Sequence, residues 1–460
     1  MRRKLFVGLV GIVICIFAYQ KYFSFDAQKI LNQSVLKERT FSGRAVEVKA
    51  LNDKVTAYLM EEHSLPLVSV SFGFDKAGSA YEPKIGVAVL TESSLLDGAG
   101  RHSRKELRDI MKEKGIKIDV NATGDRLAFS FSYVKTFEKD AIDVLKAILY
   151  EPKLDAGELE TTKRQLVAVR QSKLENPQYH LGRLVERQFY GEHPYGREDI
   201  PEEKILALVS AADIRSYLKQ VMGKDNLKVG IAGDINEEET KNFLNDVFSG
   251  LQDKAQITEI SDFQPDFSSA DETIDIPFSA QSFVLFLGQG IKRLNPDFYP
   301  LYIANYYFGG AGLNSRLSEA VREKEGLTYG IYSYFTNSDA VDLWQVYFSA
   351  TPDKANQAVK IIKNEYQKFY EQGISQKELD FVKQALLSSY HLRFSKLSTI
   401  AEMLEQMQVQ NLGIDFLEKR QGYVEAVTLE EVNQAIRRHM PKSLDLKGKV
   451  RRFEAEGKIK

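Results

Sequence analysis

Cysteine is almost absent from this sequence: Cys15 is the single one in 460 residues, and it lies in an apolar N-terminal run. The rest of the chain therefore has no disulfide bond and no thiolate metal ligand, so its stability must come from burial of its core. An excess of charge of one sign is also lacking, since 62 Lys and Arg stand against 64 Asp and Glu. This balance predicts no nucleic-acid partner.

Histidine is scarce too, and the six residues are His63, His102, His180, His193, His391 and His439. A hydrolytic zinc ion needs about three protein ligands, usually His and carboxylate, with one open position for water. Two ligands four residues apart on one helix face are the simplest way to hold it, and no two of these histidines are so spaced. We expect no metal on this chain; a site assembled from distant residues is the alternative.

The first 40 residues have the layout of an export signal. Arg2, Arg3 and Lys4 precede an apolar run at 5–19, which is about as long as a signal core. A membrane-spanning helix needs roughly 20 residues, and no convincing small-x-small cleavage site follows the run. We expect a retained inner-membrane anchor in preference to a cleaved signal, and in both cases a protein body exported to the periplasmic side.

An internal repeat determines the predicted architecture. Three pairs of segments match at nearly the same offset: 67–74 with 283–290, 158–163 with 378–383, and 209–222 with 427–440. The last pair begins with capping boxes, Ser210 with Asp213 and Thr428 with Glu431. Each half is therefore predicted to form a strand, a helix, a second strand and then a run of helices.

The fold class that follows is α+β, with two homologous domains of mixed, mainly antiparallel sheet flanked by helices and joined by a long linker. Residues 127–134 alternate apolar and polar side chains, and 341–350 is the equivalent strand of the second half. Pro265 and Pro277 lie in a stretch without helical period, which we expect to be the linker. The predicted boundaries are 1–40 for the signal or anchor, 41–252 for the first domain, 253–280 for the linker and 281–460 for the second domain.

The segment GVAVLTES at 86–93 resembles the zinc-binding helix of the insulinase, pitrilysin and mitochondrial processing peptidase family of inverted zincins. That family's motif H-x-x-E-H supplies two zinc-binding histidines and a general-base glutamate. The resemblance implies that Val89 holds the first histidine position, Glu92 the base position and Ser93 the second histidine position. Both histidines are absent, and only Glu92 matches the motif.

The family's third ligand is a glutamate on a later helix, and the resemblance places it near Ala168 and Val169, neither of which can bind metal. Without a metal, Glu92 has no water of lowered pKa to deprotonate, so it is expected to be an ion-paired or surface carboxylate. No cofactor is expected on this chain, and zinc is expected on a partner.

The segment FGGAGLNSRLSEAVREKEGLTYGIYSYF at 308–335 closely resembles the part of active members that binds the substrate carbonyl. We predict a helix at 317–324 and a strand at 327–335, with a glycine cap between them. The resemblance implies that Arg322 and Tyr329 stabilise an oxyanion. A salt-bridged arginine and a core tyrosine are the alternative.

Other family-like positions carry weaker signals. Asn121 and Ala122, just before the alternating strand, resemble the segment where an extended peptide adds to a sheet edge; an ordinary turn is the alternative. Gly309 and Gly310 are expected either in a flexible substrate-contacting loop or in a plain strand-to-helix turn. The HPYGR segment at 193–197 is expected to be a structural turn.

Together these features predict a non-catalytic, substrate-binding subunit of a heterodimeric zinc metallopeptidase of the bacterial two-subunit type. A zinc-bearing relative would be its partner, an unfolded peptide the substrate, and Arg322 and Tyr329 would act in trans. The alternatives are a structural scaffold or a peptide-holding protein of the same fold with no role in proteolysis. A self-sufficient zinc peptidase is least favoured.

Overall fold

The structure is a computed structural model that describes residues 44–263, 265–267, 272–276, 280–390, 394–444 and 446–452. The predicted signal or anchor at 1–40 lies outside these ranges. Within them, no helix combines the length and apolar character needed to cross a bilayer.

The first half builds a six-stranded sheet in the order β1-β2-β8-β3-β7-β6, in which only the β2 and β8 pair is parallel. A separate hairpin is formed by β4 and β5. The strands are β1 Val46–Ala50, β2 Val55–Glu61, β3 Leu67–Asp75, β4 Gly98–Ala99, β5 His102–Ser103, β6 Lys117–Ala122, β7 Arg126–Val134 and β8 Leu227–Gly233.

Helices flank this sheet and bury a large apolar core against it. They are α1 Val87–Ser94, α2 Arg104–Glu113, α3 Glu138–Tyr150, α4 Ala156–Leu174, α5 Pro177–Tyr190, α6 Glu203–Leu206, α7 Ala211–Val221 and α8 Glu237–Phe248. The predicted capping box of Ser210 and Asp213 begins α7. Its repeat partner, Thr428 with Glu431, begins the matching helix of the second half.

The second half has a five-stranded sheet in the order β11-β12-β10-β13-β9, with β9 and β13 parallel. Its strands are β9 Glu272–Ile276, β10 Ser282–Gln289, β11 Ile331–Asn337, β12 Asp342–Ala350 and β13 Leu446–Arg452. Its helices are α9 Phe298–Asn305, α10 Pro352–Gln372, α11 Gln376–Tyr390, α12 Leu397–Val409, α13 Phe416–Ala426 and α14 Leu429–His439. The predicted α+β class with two similar domains is confirmed, but the predicted linker is not free of regular structure, because β9 lies inside it.

The two halves exchange a helix, which the repeat did not predict. Helix α5 of the first half packs on β9, β10 and β13 of the second sheet, and α12 of the second half packs on β2, β3 and β8 of the first. Leu181 and Val185 of α5 share an apolar cluster with Leu285 and Leu287 of β10. Each sheet is therefore covered by a helix that belongs to the other half of the sequence.

Gly230 in β8 makes the close approach of α12 possible. A Cβ atom at this position would lie 2.0 Å from the carbonyl oxygen of Ala401 and 2.5 Å from the backbone nitrogen of Glu405. We expect Gly230→Ala to lower the unfolding free energy by about 1–3 kcal/mol, because the helix must shift away from the sheet. Chemical denaturation followed by circular dichroism measures this loss.

Gly422→Ala is the matched control, since this helical glycine in α13 has no atom within 4 Å of its would-be Cβ. It should raise stability by up to about 1 kcal/mol through helix propensity alone. Equal changes in unfolding free energy for Gly230→Ala and Gly422→Ala would show that close packing of α12 on β8 does not limit the side chain at residue 230.

Candidate functional site

The helix that corresponds to the family's zinc helix is α1, and a buried carboxylate holds its beginning. Gly86 adopts a left-handed conformation, with φ 91°, directly before the first helical residue. The backbone N–H groups of Gly86 and Ala88 both donate to the Glu82 carboxylate, each at 2.9 Å. Glu82 thus satisfies two of the donors that a helix N-terminus leaves unpaired. Sequence analysis missed it, although an acidic residue four positions before Gly86 was the available signal.

The ligand positions on α1 are occupied by side chains that serve packing. Val89 is half-buried and packs against the core of the first half, and Ser93 is half-buried next to it along the helix. Ala168 and Val169 both lie on α4, where they are exposed. In the described part of the chain, no cluster of three His, Cys, Asp or Glu side chains is placed to hold a metal ion.

Glu92, the base position, is half-buried on α1 and accepts the backbone N–H of Ala122 at 3.2 Å. Burial raises the pKa of its carboxyl group, while the Ala122 hydrogen bond and the charge of Lys173 oppose that rise. The expectation of an ion-paired or surface carboxylate therefore describes Glu92 only in part, because Glu92 also anchors the end of β6.

Asn121 and Ala122 lie at the end of β6, which is the edge strand of the first sheet. The expectation of a turn at these residues is wrong, and the alternating strand, β7, is an interior strand. The Ala122 N–H points away from β7 towards Glu92. Because backbone groups alternate in direction along an antiparallel strand, those of Val120 and Ile118 also face outward. The unpaired edge beside α1 is thus formed by β6.

Glu82 should make stability depend on pH. Burial raises the pKa of its carboxyl group from 4.5 to about 6, against the lowering effect of the two helix N–H groups. A carboxyl group with a raised folded-state pKa stabilises the fold below its unfolded value, and this contribution is lost as the pH rises through the folded value. The loss should total about 2 kcal/mol and extend from about pH 3.5 to about pH 7, one pH unit beyond each of the two pKa values.

We expect Glu82→Gln to remove this dependence. The unfolding free energy of the variant minus that of the wild type should rise by about 2 kcal/mol across the same pH range. Denaturant unfolding at half-unit pH steps measures the difference, and Glu192→Gln controls for a charge change at an exposed glutamate. A pH-independent difference for Glu82→Gln would contradict the assignment.

Arg322 and Tyr329 lie on opposite sides of a helix cap. Arg322 is in a turn of π-type hydrogen bonding at Ser318–Glu323, where an α-helix was predicted. Gly326 has φ 60° and donates to the Arg322 carbonyl, so the predicted cap is present. Tyr329 is not in a strand as predicted, because β11 begins only at Ile331.

Both side chains are available to a ligand. The Tyr329 residue is 87% exposed, which excludes a core tyrosine. Arg322 has 37% of its side-chain area exposed, and its nearest acidic group is that of the neighbouring Glu323, at 4.0 Å. Among the residues that the structure describes, no hydrogen bond or ion pair joins Arg322 or Tyr329 to Glu92. The described residues therefore show no direct polar contact between the site residues of the two halves.

Gly309 and Gly310 are in a π-type turn, Tyr306–Gly310, that continues α9. Neither the flexible loop nor the strand-to-helix turn expected there is present. A Cβ on Gly309 would lie 2.8 Å from the backbone nitrogen of Ser333, so this glycine allows the turn to pack against β11. The sequence alone identified the glycines but not this packing role.

A buried ionic network that the sequence did not reveal connects the halves. Glu405 of α12 is 2% exposed and accepts from Arg126 of β7 at 2.7 Å. The Ser71 hydroxyl donates to its other oxygen, and Arg126 also contacts Asp75 at 2.7 Å. The signal in the sequence that could have revealed this network was the single glutamate, Glu405, on the apolar face of α12.

A second polar contact between the halves involves the HPYGR turn. The Tyr195 hydroxyl donates to Asp125, and the backbone N–H of Asp339 donates to the same carboxylate at 3.2 Å. The Tyr81 hydroxyl donates to Asp339 at 3.0 Å. Pro194–Gly196 form a short helical turn. The turn predicted at HPYGR thus helps to hold the hairpin between β11 and β12 against the first sheet.

The duplicated α+β architecture, the degenerate zinc helix and the Arg322 segment define a class of zinc-peptidase-like proteins. Two family models match the chain: "Insulinase (Peptidase family M16)" over residues 56–200 and "Peptidase M16 inactive domain" over residues 209–386. Together they cover well over half of it. The chain belongs to peptidase family M16 and is a member without the zinc ligands.

Relatives and solved structures agree with this assignment. The chain is 24% identical to "Non-peptidase homolog YmxG" of Helicobacter pylori, covering 84% of this chain and 89% of that protein. It is 24% identical to "Uncharacterized zinc protease YmxG" of Bacillus subtilis, covering 77% and 86%. A crystal structure of a peptidase M16 inactive domain from Pseudomonas fluorescens superposes with a TM-score of 0.82 at 22% identity, covering 90% of this chain and all of that one.

Proposed function

We propose that this protein is a non-catalytic, substrate-binding subunit of a heterodimeric zinc metallopeptidase. The partner is a family relative that carries H-x-x-E-H and the zinc ion. This chain binds the extended peptide substrate and supplies Arg322 and Tyr329 in trans to the partner's reaction centre. The observation that carries the proposal is an asymmetry: Val89 and Ser93 have replaced the zinc ligands, whereas Arg322 and Tyr329 are kept and exposed.

The chemistry of the pair supports this role. A guanidinium is a permanently charged donor and a phenol is a neutral one, and both stabilise negative charge that develops on a carbonyl oxygen during amide hydrolysis. A protein retired from catalysis has no chemical reason to keep an 87% exposed tyrosine seven residues after an arginine with no strong acidic partner. The described residues around Glu92 include no metal-binding cluster, and the proposal therefore assigns the reaction centre to another chain.

Peptide binding by the first half is supported by the open edge of β6. An extended peptide adds to such an edge through main-chain hydrogen bonds, with little dependence on its side chains. Val120 and Ile118 present outward-facing backbone groups, whereas Glu92 already occupies the Ala122 N–H. Asn121 contributes an exposed side chain at this edge. These features also suit the alternative of a peptide-holding protein that acts without a peptidase.

The same proposal places the protein on the periplasmic side of the inner membrane. The basic residues and apolar run before residue 20 support export, with the run retained as an anchor or removed as a signal. Comparing the mass of the mature N-terminus from periplasmic and membrane fractions distinguishes the two.

The test is reconstitution. The isolated chain should contain no stoichiometric zinc by metal analysis and should not cleave unfolded peptides. Mixing it with an H-x-x-E-H relative from the same organism should give a stable complex and peptide cleavage faster than that of the relative alone. Zinc-dependent hydrolysis by a homogeneous preparation of this chain alone would overturn the proposal. Peptide affinity without a complex would favour the peptide-holding alternative, and neither affinity nor a complex would favour a scaffold.

A further inference from the structure

Two arginines in the second half, Arg293 and Arg420, form no ion pair with any acidic side chain among the described residues, although buried arginines usually have one. Arg126 and Arg420 are the arginines that are buried among the described residues. Arg126 contacts the carboxylates of Glu405 and Asp75. Arg420 is 6% exposed, and its Nη1 atom has no hydrogen-bond partner within the described ranges. Within the described residues, the Arg126 guanidinium is therefore neutralised and the Arg420 guanidinium is not.

Arg293 lies within electrostatic reach of Arg420. It is half-buried, in the loop before α9, and its Nη2 donates to the Tyr299 hydroxyl at 3.3 Å. Burial lowers the pKa of Arg293, and the positive charge of Arg420 lowers it further. An arginine side chain does not lose its proton in a protein, so two like charges remain within interaction range of each other.

Aromatic rings surround the pair and do not supply the missing charge. The Arg293 guanidinium carbon lies 4.0 Å from the ring centre of Phe298 and 5.3 Å from that of Phe416. The Arg420 guanidinium carbon lies 4.0 Å from the ring centre of Tyr390. A ring face attracts a cation that lies above the plane of the ring. The N–H groups of the guanidinium point outward in its own plane, and a ring stacked on that plane does not accept their hydrogen bonds.

Burying a charge without a counter-charge is strongly unfavourable, and a second like charge nearby increases the penalty. Native proteins resolve such a penalty by pairing the charge with an acidic group or an ion. No acidic side chain in the described part of the chain forms an ion pair with Arg293 or Arg420. A bound anion would supply the opposite charge.

We propose that Arg293 and Arg420 form a binding site for an oxyanion, a phosphate or a carboxylate, that bridges their guanidinium groups. Guanidinium N–H groups are arranged as a fork that matches two oxygens of such an anion. Tyr423 is 41% exposed and its ring centre lies 5.4 Å from that of Tyr299, so the tyrosine pair marks the side on which the site meets solvent. The site lies outside the proposed peptidase machinery and does not depend on it.

The test measures the midpoint of thermal unfolding of the full chain in sodium phosphate, sodium acetate and sodium chloride at equal ionic strength and pH 7. Titration calorimetry with inorganic phosphate gives the affinity. The variants are Arg420→Met and Arg293→Met, with Arg437→Met as a control that removes one exposed positive charge. Circular dichroism establishes that each variant is folded, and the partly exposed Arg293 position provides a variant less disruptive than Arg420.

Phosphate, acetate or both should raise the unfolding midpoint of the wild type and of Arg437→Met above its value in chloride. Either site variant should lose at least tenfold in affinity and show no such rise. A response to phosphate alone identifies a phosphate site, a response to acetate alone a carboxylate site, and a response to both the shared oxyanion chemistry. No rise in the wild type, or an equal rise in wild type and both site variants, would overturn the proposal.

Discussion

Replacing Arg322 with alanine is expected to lower peptide cleavage by the reconstituted complex by about two to three orders of magnitude. The guanidinium would stabilise the oxyanion that forms during attack on the peptide bond, and a shortened side chain leaves that charge without its donor. Because Arg322 is partly exposed and has no close acidic partner, the substitution should leave the fold and the complex unchanged. Steady-state kinetics should show the loss in kcat, with formation of the complex measured separately.

Lys324→Ala is the matched control, since this exposed side chain follows Arg322 by two residues and forms a surface ion pair with Glu319. It should leave the rate nearly unchanged. Tyr329→Phe, which keeps the ring and removes the hydroxyl, should lower the rate in the same direction as Arg322→Ala. A rate for Arg322→Ala within twofold of the wild type would refute the role in trans.

Glu405→Ala should be the most destabilising single substitution in the contact between the halves, with an expected loss of about 3–5 kcal/mol in unfolding free energy. Removal of this buried carboxylate leaves the Arg126 guanidinium with Asp75 alone and the Ser71 hydroxyl without its acceptor. It also opens a cavity between α12 and the first sheet. Urea unfolding monitored by circular dichroism measures the loss.

Asp246→Ala removes a carboxylate from a surface ion pair with Lys146 and should change stability by less than about 1 kcal/mol. A double-mutant cycle with Arg126→Met and Glu405→Met isolates the coupling between the two buried charges. The double variant should lose less than the two single losses added together, because it no longer buries either of these two charges without the other, although Asp75 loses its contact with Arg126 in both Arg126 variants. A loss below 1 kcal/mol for Glu405→Ala would show that α12 is held by apolar packing alone.

The α+β class and the family were predictable because their signals are local. Apolar periodicity and the capping boxes depend on neighbours a few residues away, and each repeated segment is recognised from its own local sequence. Both helices that the capping boxes predicted are present in the structure. The absence of histidine at Val89 and Ser93 is likewise a property of single positions in a motif. No knowledge of the packing was needed to identify either.

The setting of the predicted site residues was harder to foresee. Glu92 is a strand anchor because its helix happens to face Ala122, thirty residues away in sequence. Tyr329 has strand-forming neighbours, yet it lies outside β11, since the backbone leaves the helix cap before it joins the sheet. Strand propensity therefore placed Tyr329 in the wrong element, although its side chain has the exposure that favours ligand binding.

The sequence by itself determined the class of fold, the loss of the zinc ligands and the retention of Arg322 and Tyr329. Tertiary structure alone decided which helix covers which sheet, how Glu405 reaches Arg126, and that Arg420 is buried with no acidic partner among the described residues. The physical reason is the separation in sequence between the residues that interact. A helix cap or a ligand motif is encoded within one or two turns of chain. The pairing of a buried charge depends instead on residues hundreds of positions apart that only packing brings together.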